Sequence, residues 1–396
     1  MNSKRFQEIR QSLMERLDMS RELADEEILE LIDQMILEDL REEGLSLREK
    51  TGLRQRLFHS VRKLDVLQDL LDDNSVTEIM VNGPDHIFVE QEGKVRRWNR
   101  SFTSMEKLED VIQQIVGRCN RIVNESSPIV DARLENGARV NAVIAPVALN
   151  GPILTIRRFS DQPITMGKLL QLGSISRECA DFLSKLVQAR YSILIGGGTG
   201  SGKTTFLGAL SEYIPKDERI ITIEDNAELR IQGIENLVRL EAKSANLEGG
   251  RDITIRDLIK SALRMRPDRI LVGEVRAEEA VDMLQALNTG HEGSLTTAHA
   301  NSTEDMLSRL ETMVLMGMDL PLEAVRRQIA SGLDILIHLG RMRDRSRKVL
   351  EITEVLGYKN GEVHLRRLYQ WEEEKGLTKV GELTCKEKLA RAGITL

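Results

Sequence analysis

Cysteine, aromatic rings and long apolar runs are all scarce in this chain. The three cysteines, Cys119, Cys179 and Cys385, lie far apart and form no Cys-x-x-Cys pair. That spacing suits unpaired thiols in a reducing compartment and speaks against a disulfide framework or a zinc site. Aromatic residues make up 3% of the chain and charged residues 30%, which favours helix-rich α/β architecture over an all-β sandwich. The longest uncharged apolar stretch, Ala142 to Leu149, is far too short to cross a bilayer. The segment Met1 to Met19 is charged and lacks the apolar centre of a secretory signal. A soluble protein is expected, reaching any membrane through a partner or a surface. The net charge of −7 gives no support for direct nucleic-acid binding.

The most informative segment is Gly197-Gly198-Thr199-Gly200-Ser201-Gly202-Lys203-Thr204, which fits the P-loop pattern G-x-x-x-x-G-K-[ST]. Glycines let the backbone fold tightly and turn its N–H groups onto phosphate oxygens. The helix that follows adds its positive N-terminal end. Lys203 can reach the β- and γ-phosphates, and the Thr204 hydroxyl can ligate Mg²⁺. The flanks fit as well: Tyr191 to Ile195 reads as a buried strand and Thr205 to Leu210 as a helix.

At 396 residues the chain should hold two or three domains. Residues 1–65 read as charged helices, with Ile28, Leu31, Ile32, Met35 and Ile36 on one face. Ser46-Leu47-Arg48-Glu49 is a capping box opening a helix with Leu53, Leu57, Val61 and Leu64 on its stripe. A small helical bundle and a docking module for a partner both suit this region. Residues 66–163 read as a small α+β domain, with strands at Val76–Val81, His86–Glu90, Lys94–Trp98, Arg139–Ala145 and Ile153–Phe159 and a helix over Ser104–Cys119. Asp161-Gln162-Pro163 reads as the linker. From 164 to 396, helices alternate with apolar strands at Ile193–Ile195, Ile220–Ile223, Ile270–Val272 and Ile335–Leu339, the pattern of a parallel sheet wrapped by helices. A hairpin, Val349–Tyr358 and Glu362–Tyr369, turns at Asn360-Gly361.

Chemistry gathers at the strand ends. One strand runs into Glu224-Asp225, with Glu228 beyond, and another into Gly273-Glu274. Ligands bind at the carboxyl ends of strands in open α/β sheets. Acidic groups there suit Mg²⁺ ligation and orientation of an attacking water. Because Gly273 precedes Glu274, direct Mg²⁺ ligation by that strand is disfavoured and Glu274 is the better candidate for catalytic base. The glycine-rich Thr289–Ser302 segment carries His291 and His299, two of six histidines. They read either as structural histidines or as part of a loop and strand near the γ-phosphate.

In order along the chain, the P-loop, Ile221–Asp225, Arg266–Arg276 and Gly290–Ser302 resemble the Walker A, Asp box, Walker B and His box of secretion-type AAA+/RecA-like ATPases. The run Asn124–Leu134 and the strand end Ile156-Arg157-Arg158-Phe159 resemble the CpaF type, the tight-adherence (Tad) pilus assembly ATPases. The likeness covers roughly residues 70 to 340. Gly273 is normal in that family, and the lack of a tetracysteine zinc module sets the chain apart from the general-secretion branch.

The resemblance implies a C-terminal RecA-like P-loop ATPase domain behind the α+β domain and the helical segment. It implies a homohexameric ring that uses ATP and Mg²⁺, with an N-terminal domain that moves on nucleotide turnover. The implied partner is an integral inner-membrane pilus platform, reached from the cytoplasmic face, with no direct nucleic acid and only indirect membrane contact. By position, Gly197, Gly198, Thr199, Gly200, Ser201, Gly202, Lys203, Thr204 and Thr205 would hold the nucleotide, with Thr204 and Glu224 as Mg²⁺ ligands. Glu224, Asp225 and Glu228 form the Asp box, Glu274 matches the catalytic glutamate, and His299 is the His-box residue with His291 beside it. Arg133, Arg139, Arg157 and Arg158 are candidate phosphate-contacting arginines, the last two as catalytic groups. Which one acts, and whether across a subunit boundary, stays open. Three functions fit: a pilus-assembly motor, a type IV secretion ATPase moving protein or DNA, and a nucleotide-dependent scaffold.

Overall fold

A computed structural model describes residues 3–17, 21, 23–38, 46–91, 93–134, 136–158, 163–243 and 251–396. The described residues form two compact units, one within Met1–Ser160 and one within Asp161–Ala245 and Gly250–Leu396. Most of the expected linker, Asp161 and Gln162, and the strand-end residue Phe159 lie outside the described residues.

The first unit opens with helices Ser3–Arg16, Asp25–Glu38 and Leu47–Arg62. Their apolar stripes meet in one core that includes Phe6, Leu13, Ile32, Met35, Leu53 and Leu57. The third helix starts where the capping box predicts: Ser46 Oγ accepts from the Glu49 N–H, and the Glu49 carboxylate accepts from the Ser46 N–H at 2.9 Å. A six-stranded antiparallel sheet follows. Its strands are β1 (Val76–Asn82), β2 (Ile87–Gln91), β3 (Lys94–Arg97), β4 (Ile129–Arg133), β5 (Arg139–Val143) and β6 (Ile153–Arg157), in the order β3-β2-β1-β6-β5-β4. Ser104 caps helix Met105–Arg118, whose Leu108, Val111, Ile112, Ile115 and Val116 cover the apolar face of the sheet. The sequence pattern did not give β4, whose outer face carries Ile129 and Asp131 in the open.

The second unit is built on nine strands: β7 (Ile193–Gly197), β8 (Ile220–Glu224), β9 (Leu237–Glu241), β10 (Arg269–Val275), β11 (Leu295–His299), β12 (Ile335–Arg341), β13 (Arg347–Lys359), β14 (Glu362–Glu372) and β15 (Gly376–Lys379). They run in the order β15-β14-β13-β12-β7-β11-β10-β8-β9. The sheet is mixed: the expected parallel strands form one part of it, and the expected hairpin joins them as β13 and β14. From β12 to β9 all neighbours are parallel, whereas β13, β14 and β15 add to the β12 edge antiparallel. β7 and β8 are buried at every position, as parallel strands covered on both faces must be. Helices pack on either side in two separate cores. Below β10, fully buried Arg269 is held by a two-pronged pair with Glu218 and by the carbonyls of Val187 and Gly293. Those contacts satisfy a charge that would otherwise be costly to bury.

Candidate nucleotide site

Parallel register brings the carboxyl ends of five strands to one side of the sheet. His299 at the end of β11 and Leu339 of β12 both align with Gly197 of β7, Ala298 aligns with Val275, and Val272 of β10 aligns with Ile223 of β8. The P-loop leaves β7 and enters helix Lys203–Ser211. Gly200 (φ +71°) and Gly202 (φ +91°) make its turns in the left-handed region, where a side chain would strain the backbone. Gly198, Thr199 and Gly200 are exposed, Thr204 and Thr205 half-buried, and Ser201 buried.

Lys203 is 8% exposed. Its Nζ donates to the carbonyls of Gly197 (3.3 Å) and Gly198 (3.4 Å) and lies 3.5 Å from Glu274 Oε1 and 3.3 Å from His299 Nδ1. Burial lowers the ammonium pKa, and Glu274 opposes the shift. Glu274 is the hub: Oε1 meets His299 Nε2 at 3.0 Å, and Oε2 accepts from Arg276 Nε at 2.6 Å. Burial lowers the His299 pKa against the pull of Glu274. A neutral imidazole fits both contacts, with Nε2–H donating to Glu274 and Nδ1 accepting from Lys203.

Glu224 closes the β8 end at 3% exposure. Its Oε2 accepts from the N–H groups of Glu228 (2.7 Å) and Leu229 (2.8 Å), while buried Oε1 has no hydrogen-bond partner. Burial pushes this carboxyl up to about 7 despite those two N–H groups. Asp225 is exposed, 3.4 Å from Arg276, and Glu228 is half-buried.

One expected pairing is corrected. His291 precedes β11, at the end of that strand opposite His299, and its Nδ1 lies 3.2 Å from the Ala286 carbonyl. Two arginines were missed. Arg276 stands two residues beyond Glu274, so along an extended chain the two share a face. Arg347 begins β13, far away in sequence, and its Nε donates to the Gly200 carbonyl at 2.9 Å. No local signal marks Arg347.

The four candidate arginines of the first unit divide. Arg133, Arg139 and Arg157 sit in register on β4, β5 and β6, on the face opposite the core. Arg158 lies past the end of β6, its guanidinium donating to the Asp73 carbonyl and to Asn74 Oδ1.

Residues 61–393 match the family model described as Type II/IV secretion system protein. A putative conjugal transfer protein of Mycobacterium tuberculosis is 35% identical over 319 residues, 79% of this chain and 89% of that one. The type IV secretion system protein VirB11 of Brucella suis is 34% identical over 303 residues, 70% of this chain and 84% of that one. Among solved structures, the pilus retraction motor PilT with bound ADP shares the fold at a TM-score of 0.53 and 19% identity, over 83% of this chain and 86% of that one.

Proposed function

Because the chain belongs to the type II/IV secretion system protein family and is an ATPase of that family, we propose that it works as a ring-forming motor that assembles a tight-adherence type pilus through an inner-membrane platform. The observation that carries the motor reading is the cluster of Lys203, Glu274, His299 and Arg276 beside the P-loop. Its contacts couple the phosphate-facing lysine directly to the carboxylate beside it.

In this reading the P-loop amides and Lys203 hold the β- and γ-phosphates. Phosphate oxygens draw the Lys203 ammonium from Glu274 and His299. Glu274, still oriented by Arg276, then accepts a hydrogen bond from the attacking water. His299 loses its lysine contact as the phosphate arrives and regains it after hydrolysis, so it reports the phosphate to the β11 end. The unpartnered Oε1 of Glu224 and the Thr204 hydroxyl are hard oxygen donors of the kind Mg²⁺ takes. Mg²⁺, when bound, neutralises phosphate charge. The row of half-buried Arg133 and Arg139 and exposed Arg157 supplies cations to a neighbouring subunit's phosphates, and the local ties of Arg158 favour Arg157 over it.

The pilus assignment draws on the Asn124–Leu134 run, which includes β4, and on the Ile156–Arg158 run at the end of β6. A second reading, a type IV secretion ATPase moving protein or DNA, is favoured by the names of the relatives at 35% and 34% identity. Deleting the gene and scoring surface pili against transfer of protein or DNA separates them. The ring is tested by mixing Lys203→Ala subunits, which keep their arginines, with Arg157→Ala/Arg158→Ala subunits. Recovered hydrolysis is expected. Native mass spectrometry showing only monomers in every nucleotide state would contradict it.

A further inference from the structure

β10 slips register against β11 where it approaches the P-loop. Val272 pairs with Thr296, but Val275 pairs with Ala298. Gly273 and Glu274 therefore stand opposite Thr297 alone. Such a bulge is rare between parallel strands, and bulges gather beside active sites, where they re-aim a side chain.

The extra residue decides which face Glu274 takes. Successive side chains of a regular strand point to opposite faces. Leu271 shares a core with Phe206 and Leu207, from the helix that opens with Lys203, whereas Val272 lies in the other core. Strict alternation from Val272 would send Glu274 into that other core and Val275 out of it. The bulge reverses both outcomes. Val275 is buried in the same core as Val272. Glu274 turns to the P-loop side, 3.5 Å from Lys203 Nζ and 3.0 Å from His299 Nε2. Gly273 faces that side too, where a Cβ would stand 2.9 Å from Glu224 Cγ.

A bulge interrupts the ladder that fixes a regular strand, so its shape needs another tie. Thr297 supplies one. It is fully buried, and its Oγ1 donates to the Gly273 carbonyl at 2.6 Å. Its own backbone is set by alignment with Ile195 of β7, the strand that feeds the P-loop. Thr296 next to it provides a contrast. It is buried as well, but its hydroxyl has no hydrogen-bond partner.

On the reading of Glu274 as the base, we propose that Thr297 is a positioning residue for it. The Thr297 hydroxyl pins the Gly273 carbonyl, holds the bulge, and so keeps the Glu274 carboxylate aimed at the P-loop. Thr297 acts through the backbone and not on the nucleotide.

The test is steady-state ATP hydrolysis by the full chain, with nucleotide affinity followed by a fluorescent ATP analogue. Thr297→Val keeps the shape of the side chain and removes the hydroxyl. It should lower kcat by about tenfold to a hundredfold, the scale of a catalytic group misplaced by about 1 Å. KM and nucleotide affinity should stay nearly unchanged. Thr297→Ser should restore most of kcat, and Thr296→Val, which removes the idle hydroxyl, should match wild type. In a Glu274→Gln background, Thr297→Val should cost little more, because the group it positions is already gone. Thr297→Ala gives the same comparisons if valine disturbs the fold. Wild-type kcat in a folded Thr297→Val or Thr297→Ala protein overturns the proposal, and so does a full further loss in the Glu274→Gln background. Equal losses in Thr297→Val and Thr296→Val would reduce both to packing. The base assignment fails separately, through wild-type hydrolysis by Glu274→Gln alone.

Discussion

Glu224 lies against the bare Cα of Gly273: a Cβ added there would stand 2.9 Å from Glu224 Cγ. Glycine at the end of β10 therefore makes room for a carboxylate from β8. Gly273→Ala should lower the unfolding free energy by about 1–3 kcal/mol, the range for overpacking. Glu224→Ala in the same chain should relieve most of that loss, since neighbours in contact are not additive. Denaturant melts of the two single variants and the double variant give the coupling. Additive losses would mean the two residues do not press on each other.

Glu224 also sets a pH dependence. The folded protein keeps its proton to about pH 7, whereas the ordinary glutamate value is 4.5. Across that window the folded state binds more protons than the unfolded chain, so this group's contribution to stability falls as pH rises and levels off above about 7. Glu224→Gln should remove the slope. Its stability relative to wild type should rise by about 1–3 kcal/mol from the low to the high end of the window. Parallel stability curves for the two proteins would sink the assignment.

Arg347 holds the P-loop from outside, through the Gly200 carbonyl at 2.9 Å. It is a positioning residue at the exposed start of β13, so its loss should leave the melting temperature nearly unchanged. Arg347→Ala should raise KM for ATP several-fold, as loss of a hydrogen bond to a charged group does, and alter kcat less. Unchanged KM would show that the loop holds its shape unaided.

His299 touches Lys203 and Glu274 at once. His299→Ala should keep ATP affinity and thermal stability while losing motor output, scored as surface pili, more than hydrolysis. A proportional fall in all four measurements would reduce His299 to a packing residue.

What the sequence made legible was local. The P-loop announces itself because glycines and a lysine must stand at fixed intervals for one backbone path, and the Ser46–Glu49 cap for the same reason. The α/β class followed from apolar runs between helices. β9 and β15 escaped because their residues are only partly buried, so neither alternation nor an apolar run marks them. His291 was misplaced because nearness in sequence was taken for nearness in space, although β11 lies between it and His299 and an extended strand advances about 3.3 Å per residue. Arg347 reaches Gly200 only through the sheet order that sets β12 beside β7.

Glu274→Gln is the most direct test of the central claim, that this cluster hydrolyses ATP. The substitution keeps the size of the side chain and an oxygen for Arg276 while removing the base. ATP binding, followed with a fluorescent analogue, should survive. Steady-state hydrolysis should fall by about 10²–10⁴, the usual cost of losing a general base. Hydrolysis at the wild-type rate would contradict the account.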